Sequence, residues 1–433
     1  MKEMKDSGVV WIDKVPSNWE LTKAKNIFNQ RNERGNANEV LLSATQMYGM
    51  IPQEQLEGVV QTKEETDLQT FKTVHINDYV ISLRSFQGGF EASDYEGVCS
   101  PAYQVFYNTK KINHKYFRYL FKSDGFIEKM NSLTVGIREG KNIQYKDFAQ
   151  SIIPYPPYVE QLKIADYLDL KCAQIDSIIS KQEAIIEKLK EYKLSVITEA
   201  VTKGLNPNVE MKESGVEWIG EIPKEWICCR IKNIYANVKN PIKVGPFGSQ
   251  LTTVDYVEEG KWVYTQRVVL DNNFKTNDTF ISEEKYEQMK GFSVEEGDIL
   301  ITTRGTGTTG HIAKVPYEYC EGILHPCLMR IKIDENKCMY RFLYHVFENS
   351  AYIRKQIDFA NNTSSLPVLY SYTLNNLYIA LPSIEKQTEL VNYMDNVCNI
   401  VDKKISISEA LIEKMKEYKK SLIYEMVTGK KEV

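Results

Sequence analysis

Two long segments of the chain carry mostly apolar side chains at alternating steps of four and three residues. The positions are Ile178, Gln182, Ile185, Leu189, Tyr192 and Val196 in the first segment, and Leu411, Met415, Tyr418 and Leu422 in the second. This heptad spacing is typical of coiled-coil helices. A helix over 159–201 would be roughly 65 Å long, which exceeds the diameter of a small domain. We therefore expect the two helices to pair in antiparallel orientation; the alternative is a seam between two copies of the chain.

The chain repeats itself at both ends of each half. Residues 3–19 recur at 210–226 with 10 identities in 17 positions, and residues 156–202 recur at 382–428 with 22 identities in 47. Between these ends, NDYVISLR at 77–84 aligns with GDILITTR at 297–304, a β-type apolar run. The repeat predicts two α/β (α+β) domains of one fold, joined by two long antiparallel coiled-coil helices with pseudo-two-fold symmetry.

The repeat also sets the predicted domain boundaries. We expect a leading segment and first globular domain at 1–155, a first helix at 156–205, a linker and second leading segment at 206–225, a second globular domain at 226–381 and a second helix at 382–433.

Composition excludes several classes of protein. Hydrophobic residues make up 42% and charged residues 26% of the 433 positions, which is ordinary globular usage. The net charge of −4 argues against a polycation that coats nucleic acid, so any DNA surface must be a local basic patch. The beginning of the chain lacks the apolar core of a signal peptide, and the eight cysteines lack zinc spacing. We expect a cytoplasmic protein with reduced thiols, no metal and no membrane contact.

The motifs of nucleotide and methyl-group chemistry are missing. GTGTTG at 305–310 lacks the Lys of a phosphate-binding loop, and YPPY at 155–158 lacks the polar residue that holds a target amine in amino-methyltransferases. If the chain were an enzyme, the alternative that we consider is a DNA-binding nuclease with a concealed PD-(D/E)xK-like site. Formal matches are Asp124 with Glu139 and Lys141, Asp255 with Glu259 and Lys261, and Asp278 with Glu283 and Lys285. Three matches in so charged a chain show that the pattern is common, and we do not favour a nuclease.

Several motifs carry a family resemblance. IEKLKEYKLSVITEAVTKG at 186–204, SGVEWIGEIPKEW at 214–226, VISLRSFQGG at 80–89, GPFGSQL at 245–251 and GDILITTRGTGTTG at 297–310 resemble specificity subunits of type I restriction-modification systems. The resemblance covers essentially the whole chain. It implies a non-catalytic subunit with two target recognition domains, each of which reads one half of a split double-stranded DNA sequence, while the helices fix the gap.

The resemblance also implies partners and cofactors. Two adenine methyltransferase (modification) subunits are expected, joined in the restricting form by two ATP-driven restriction/motor subunits. S-adenosylmethionine, ATP and magnesium are then expected on the partner subunits, and no cofactor on this chain.

DNA contacts are predicted in polar loops beside strands, since Arg pairs with guanine, Asn and Gln with adenine, and Thr or apolar groups with the thymine methyl group. The candidates in the first domain are Thr45, Gln46, Arg84, Ser85, Phe86, Gln87, Arg138, Lys141 and Asn142. The candidates in the second domain are Ser249, Gln250, Thr265, Gln266, Arg267, Arg304, Thr306, Thr308, Thr309, Asn361, Asn362 and Thr363. Arg84 and Arg304 occupy one aligned place in both copies, so a structural salt bridge is an equal alternative for them.

Charged positions on the two helices also recur. The partner-binding candidates are Glu187, Lys190 and Glu191 on the first helix, and Glu413, Lys416 and Glu417 on the second. Two equivalent docking sites for two copies of a partner would explain why a solvated surface repeats. The alternative is i,i+4 pairing of charges within each helix, at ~0.2 to 0.5 kcal/mol per pair.

Overall fold

The computed structural model describes residues 3–35, 39–46, 48–56, 70–82, 89–133, 143–361 and 367–433. The chain divides into two compact units. The first comprises Met1–Glu183 and Glu409–Val433, and the second comprises Ala184–Ser408. Within the described ranges, no helix combines the length and the apolar character needed to span a lipid bilayer.

The first unit contains twelve strands and three short helices among its described residues, followed by a long helix. The strands are β1 (Met4–Asp6), β2 (Lys14–Pro16), β3 (Glu20–Lys23), β4 (Phe28–Arg31), β5 (Leu42–Thr45), β6 (Gly49–Pro52), β7 (Lys72–Val74), β8 (Tyr79–Ile81), β9 (Phe90–Ala92), β10 (Gly97–Cys99), β11 (Gln104–Asn108) and β12 (Ile152–Tyr155). The helices are α1 (His114–Lys122), α2 (Asp124–Ser132), α3 (Tyr145–Gln150) and α4 (Tyr158–Lys203), which continues into the second unit.

The second unit has the same kind of composition. Its strands are β13 (Met211–Glu213), β14 (Glu221–Pro223), β15 (Ile227–Arg230), β16 (Ile242–Val244), β17 (Tyr256–Val257), β18 (Lys261–Tyr264), β19 (Phe280–Ile281), β20 (Ile299–Thr302), β21 (Ile312–Lys314), β22 (Gly322–Leu324), β23 (Leu328–Ile331) and β24 (Tyr378–Leu381). Its helices are α5 (Gln266–Leu270), α6 (Glu283–Gln288), α7 (Tyr340–Glu348), α8 (Ala351–Asn361), α9 (Ser371–Asn376) and α10 (Ile384–Val427), which continues into the first unit.

The central sheets of the two units have the same topology. Each is antiparallel, with the order β4-β11-β8-β9 in the first unit and β16-β23-β20-β21 in the second. The pairs β1-β2 and β3-β12 likewise correspond to β13-β14 and β15-β24. The units differ beside the central sheet, where the second has a mixed sheet of order β17-β19-β18-β22 and the first has the pairs β5-β6 and β7-β10. The predicted duplication of one α/β fold is confirmed.

A buried aspartate holds the central sheet in each unit. Asp78 accepts two hydrogen bonds from the Arg31 guanidinium, at 2.7 and 3.0 Å. Asp298 accepts hydrogen bonds at 3.1 and 3.3 Å from Arg330, which lies on a different strand of the common topology. Each carboxylate also accepts a backbone N–H from the residue three positions before it. The charged residue that holds the sheet in both units is therefore the aspartate at the second position of the aligned motifs NDYVISLR and GDILITTR.

Each unit draws part of its hydrophobic core from both long helices. In the first unit, an aromatic cluster around Phe28 and Phe106 packs with Ile164 and Leu168 of α4 and with Met426 of α10. In the second unit, the core contains residues from both helices as well: Ile197, Ala200 and Val201 of α4, and Leu390, Val391 and Met394 of α10. Neither domain core is complete without the distant helix.

Within each unit, the two helix segments run antiparallel. In the first unit, Lys419 of α10 contacts Asp176 in the middle of α4 at 2.7 Å, and Lys431, which follows α10, lies in a cavity with Ile164 near the start of α4. In the second unit, Lys193 of α4 contacts Asp402 of α10 at 2.8 Å. The two ion pairs occupy equivalent positions of the repeat, which confirms the antiparallel pairing within one chain.

The buried face of the helices matches the predicted seam in part: Met415 and Leu422 of α10 pack in the core of the first unit as predicted, but several predicted residues do not turn inward. The residues of α4 that turn inward include Leu168, Cys172, Ile175, Ile179, Gln182, Ile186 and Ile197. Ile178, Ile185 and Tyr192, which we placed on the seam, are exposed, as is Tyr418 on α10. The helix has two adjacent apolar stripes with the same heptad spacing, and periodicity alone does not tell which one faces inward.

This assignment predicts different effects for two neighbouring isoleucines of α4. Ile175 is 5% exposed within the core of the first unit, whereas Ile178 is 41% exposed. We expect Ile175→Ala to lower the free energy of unfolding by about 2 to 4 kcal/mol, because it leaves a cavity, and Ile178→Ala to cost under about 1 kcal/mol. Chemical denaturation of the purified protein measures both. Equal losses would contradict the observed phase of the helix.

Candidate nucleic-acid interface

Two loops of the second unit leave the same end of its central sheet. Strand β23 begins at Leu328, between β16 and β20. The backbone N–H of Gly245, after β16, donates to the Leu328 carbonyl at 2.8 Å, and that of Thr303, after β20, donates to the Cys327 carbonyl at 2.9 Å. The loops 245–250 and 303–310 therefore begin on either side of the turn 325–328. Two strand spacings separate their starting points, a distance of about 10 Å.

A third candidate segment meets the same turn. The His325 N–H donates to the carbonyl of Tyr264, the residue before Thr265, at 3.1 Å. Three of the four candidate groups in the second domain, at 249–250, 265–267 and 304–309, thus flank the turn 325–328. Asn361 ends α8, and its side chain and residues 362–363 lie outside the described residues. The described chain resumes beside the 303–310 loop, since Gly305 N–H donates to the Pro367 carbonyl at 3.2 Å.

Arg304 is an exposed cation at this end of the sheet. Among the residues that the structure describes, none forms a hydrogen bond or ion pair with its guanidinium, so the structural salt bridge that we weighed for it is not found there. Burial, and after it the charge of Arg304, lowers the pKa of His325 in the adjacent turn. The arginine therefore adds positive potential to this surface, and no described residue engages its donors.

The threonines of the loop divide between structure and surface. The Thr308 hydroxyl donates to the Arg304 carbonyl at 3.0 Å, and the buried Thr309 hydroxyl donates to the Gly305 carbonyl at 2.8 Å. Both stabilise the turn of the loop. Thr306 is the exposed residue among the three threonines of the loop that the sequence suggested as DNA contacts.

The other candidates of the second unit are also partly engaged within the protein. Ser249 is exposed, but the Gln250 carboxamide oxygen accepts the N–H of Phe247 at 2.9 Å. Arg267 lies 3.5 Å from Asp271 and 3.7 Å from Asp278, so its charge is partly neutralised. The side-chain oxygen of Gln266 is buried and has no hydrogen-bond partner among the described residues. Thr265 lies half-buried at the start of α5.

In the first unit, few candidates lie within the described residues. The Thr45 hydroxyl accepts from Tyr48 N–H at 3.0 Å and donates to the Gly49 carbonyl at 2.9 Å, so it closes the β5-β6 turn. Gly49 lies against the Ala92 carbonyl, at the end of β9 away from the β8-β9 connection. Gln46 is exposed in the same turn. Arg84, Ser85, Phe86, Gln87, Arg138, Lys141 and Asn142 lie outside the described residues.

Three residues support the 303–310 loop, and no local sequence pattern identified them. The His311 ring lies 2.7 Å from the Glu348 carboxylate through Nδ1 and 3.2 Å from the Gly307 carbonyl through Nε2. The second Glu348 oxygen accepts the Ile312 N–H at 2.6 Å, and Arg354 donates to the Thr309 carbonyl. Glu348 and Arg354 come from α7 and α8, so only the fold brings them to the loop.

The repeated charges on the long helices are exposed. Lys190 contacts Glu187 at 2.9 Å and Lys416 contacts Glu413 at 2.8 Å, so these four residues form equivalent pairs within their helices, at a spacing of three residues and not the four of the alternative explanation. Glu191 and Glu417 form no such pair with any described residue. Glu417 lines an open cavity of about 1210 Å³ in the first unit, together with Trp11, Lys420 and Tyr424.

Several of the carboxylates that suggested a nuclease form ion pairs with basic residues in the described part of the chain. Asp255 pairs with Lys285 at 2.9 Å, and Lys261 pairs with Glu321 at 2.6 Å. A backbone hydrogen bond from Thr252 and the contact with Lys285 lower the pKa of Asp255 to about 2. Glu139 and Lys141 lie outside the described residues. In the described part of the chain, no three His, Cys, Asp or Glu side chains form a group suited to a metal ion.

The geometry around His311 predicts a pH-dependent loop. The two shortest contacts of the His311 ring nitrogens are with hydrogen-bond acceptors, the Glu348 carboxylate and the Gly307 carbonyl. The hydrogen bond to Glu348 raises the pKa of His311 above its usual value of 6.5. This stabilisation is present below the unfolded pKa of about 6.5 and is lost as the pH rises through the higher folded value.

We therefore expect the protection of loop amides 305–310 against hydrogen exchange to fall as the pH rises through the folded pKa of His311, after correction for intrinsic rates. His311→Gln and Glu348→Gln remove this dependence, because each abolishes the charged pair. A wild-type loop whose protection is constant from pH 6 to 9 would contradict the assignment.

Comparison with known proteins identifies the family. The family model for the type I restriction modification DNA specificity domain matches residues 16–191 and 249–416. The specificity subunit of the type I restriction enzyme EcoBI of Escherichia coli is 25% identical over 297 residues, which cover 67% of this chain and 60% of that protein. The corresponding subunit of MjaVIII from Methanocaldococcus jannaschii is 23% identical over 295 residues, 67% of this chain and 64% of that protein. The match thus spans less than two thirds of either relative.

Solved structures share the fold. A chain from a structural study of complex assembly and conformational transition of the type I R-M system has a TM-score of 0.71 at 13% identity, covering 95% of this chain and 98% of that one. The HsdS subunit from Thermoanaerobacter tengcongensis has a TM-score of 0.54 at 14% identity, covering 96% of this chain and 98% of that one. With one family match in each copy of its internal repeat, the chain belongs to the type I restriction modification DNA specificity domain family.

Proposed function

We propose that this protein is the DNA-reading subunit of a type I modification assembly and that it recognises a target split into two half-sites. Each unit contacts one half-site through loops at one end of its central sheet. The paired helices set the number of base pairs between the half-sites. The chain itself carries out no catalysis.

The main support for the proposal is that the two units share one fold but carry different loops. The central sheets of both units have the same strand order and the same buried aspartate, whereas the segments beside the sheets differ in length and residue type. In the second unit, the loops at one sheet end include the exposed Thr306 and Arg304, whose guanidinium forms no ion pair with a described residue. Two related frames with different polar loops are suited to two different base sequences.

Catalysis and cofactors are assigned to partner subunits. The described residues contain no cluster of metal-ligand side chains, and the sequence lacks a phosphate-binding loop and a methyltransferase motif. We infer that S-adenosylmethionine binds modification subunits, and that ATP and magnesium serve the restriction/motor subunits where these are present.

The outward stripe of each long helix is the proposed docking surface for a modification subunit. Tyr192 and Tyr418 occupy equivalent positions of the repeat and are 54% and 47% exposed. Glu191 and Glu417 precede them and form no ion pair with a described residue. A large aromatic ring beside an unpaired charge, present twice, fits two copies of one partner, since aromatic residues are enriched where proteins bind each other.

The function is tested by mapping methylated adenines across the genome with and without this gene. We expect one split motif to lose its methylation on deletion and to regain it when the gene is restored. Restoration with Arg304→Ala is expected to reduce methylation by roughly 5- to 150-fold, because a bidentate contact to a base is worth about 1 to 3 kcal/mol. Arg267→Ala is the matched control, since carboxylates already engage that exposed arginine.

The outcomes separate the parts of this proposal. A genome with the same methylated motifs in both strains contradicts the reader function. A split motif that depends on the gene but is methylated equally by the Arg304→Ala protein places the base contacts elsewhere.

Partner docking is tested with the two equivalent tyrosines. We expect Tyr192→Glu and Tyr418→Glu each to remove one modification subunit, and the double variant to remove both, because each places a charge in an apolar contact. Mass photometry of the reconstituted complex counts the subunits. Leu194→Glu is the control, since Leu194 is similarly exposed but its equivalent in the repeat, Lys420, is not apolar. A double variant that still binds two partners contradicts this surface.

A further inference from the structure

Phe247 is presented to solvent on the first loop of the candidate interface. Its side chain is 80% exposed. The neighbouring Pro246 is buried, and a Cβ atom on Gly245 would lie 2.2 Å from the His325 carbonyl oxygen. The loop backbone thus packs directly against the turn 325–328, which only glycine permits. The ring is exposed although the loop that carries it is firmly attached.

Gln250 fixes the tip of this loop. Its side-chain oxygen accepts the Phe247 N–H at 2.9 Å, and its backbone N–H donates to the Phe247 carbonyl at 2.8 Å. The carboxamide oxygen that would accept a hydrogen bond from adenine is therefore already engaged. Gln250, which the sequence suggested as a base contact, holds the aromatic residue in place.

Phe247 and Arg304 lie on neighbouring loops of the candidate interface. Loops 245–250 and 303–310 begin about 10 Å apart across β23. Successive base pairs of duplex DNA rise about 3.4 Å, so this separation corresponds to roughly three base pairs. A groove that receives Arg304 thereby brings its base edges within reach of Phe247.

We propose that Phe247 is a specificity-determining residue that packs its ring against the bases of the half-site read by the second unit. This inference rests on the proposed function. An apolar ring contributes to recognition through contact with a thymine methyl group or with a deformable base step. Because these hydrogen bonds fix the backbone of Phe247 before binding, the loop that carries the ring loses little conformational freedom in the complex.

The test uses the complex with its modification subunits and two labelled duplexes. One carries the split motif found by methylation mapping, and the other has only the second half-site scrambled. Fluorescence anisotropy measures both affinities. We expect Phe247→Ala to weaken binding to the intact target at least tenfold and to leave the scrambled duplex unchanged, with Phe247→Leu in between. Tyr317→Ala is the control, because it removes an aromatic ring that is 71% exposed but follows β21 at the opposite end of the central sheet, and it is expected to bind within twofold of wild type.

A double-variant comparison tests the role of Gln250. If Gln250 acts by holding Phe247, Gln250→Ala weakens target binding by a smaller factor and adds nothing in the Phe247→Ala background. Independent, multiplicative losses would mean that Gln250 contacts DNA directly and would overturn its assigned role. Thermal melting of each variant checks that the fold is retained. The fluorescence of 2-aminopurine placed in the second half-site reports contact between the ring and a base in the wild-type complex.

Other outcomes would overturn the proposal. These are a Phe247→Ala complex that binds the target as tightly as wild type, one that loses affinity equally on both duplexes, and one that loses a modification subunit by mass photometry, which would assign the ring to a protein partner. A wild-type complex that binds both duplexes equally would instead contradict the proposed function itself.

Discussion

Each unit buries side chains from both long helices, and the rest of the structure depends on this sharing. In the first unit, the buried Tyr116 hydroxyl donates to the Val427 carbonyl at 2.8 Å, across 311 positions of sequence. In the second, the Thr198 hydroxyl of α4 accepts the N–H of Ala351 at 2.9 Å. A helix whose two ends lie in two different cores is held at both ends.

The repeat made the architecture predictable from the sequence. It did not predict which face of each long helix is buried. Identical residues at matched positions established two copies, and the heptad spacing established long helices. The choice between Ile175 and Ile178 as the inward residue depends on contacts with the domain core, which a period of 3.5 does not contain. Gln161 and Gln387 illustrate the same limit. From the sequence, a polar residue is expected at the surface, but both side chains are fully buried and bind backbone groups in their units.

The candidate interface was predictable in its segments and not in the roles of its residues. Loops beside strands were found from their composition, and three of them meet at one turn of the second unit. Which side chains are free was decided by local hydrogen bonds: Thr308, Thr309 and Gln250 are engaged in holding loops, whereas Arg304 is not paired with a described residue. The anchoring arginines, Arg31 and Arg330, come from strands that do not correspond, so alignment of the two copies did not reveal them.

The contribution of residues 409–433 to the first unit has a consequence for folding during synthesis. A chain that leaves the ribosome from its amino end exposes the aromatic residues around Phe28 long before Leu422, Met426 and Val427 exist to cover them. The first unit is therefore the later of the two to complete its core, although it is translated first. Its folding is limited by closure of a loop that contains the whole second unit, and the order of maturation along this chain is the reverse of the order of its sequence.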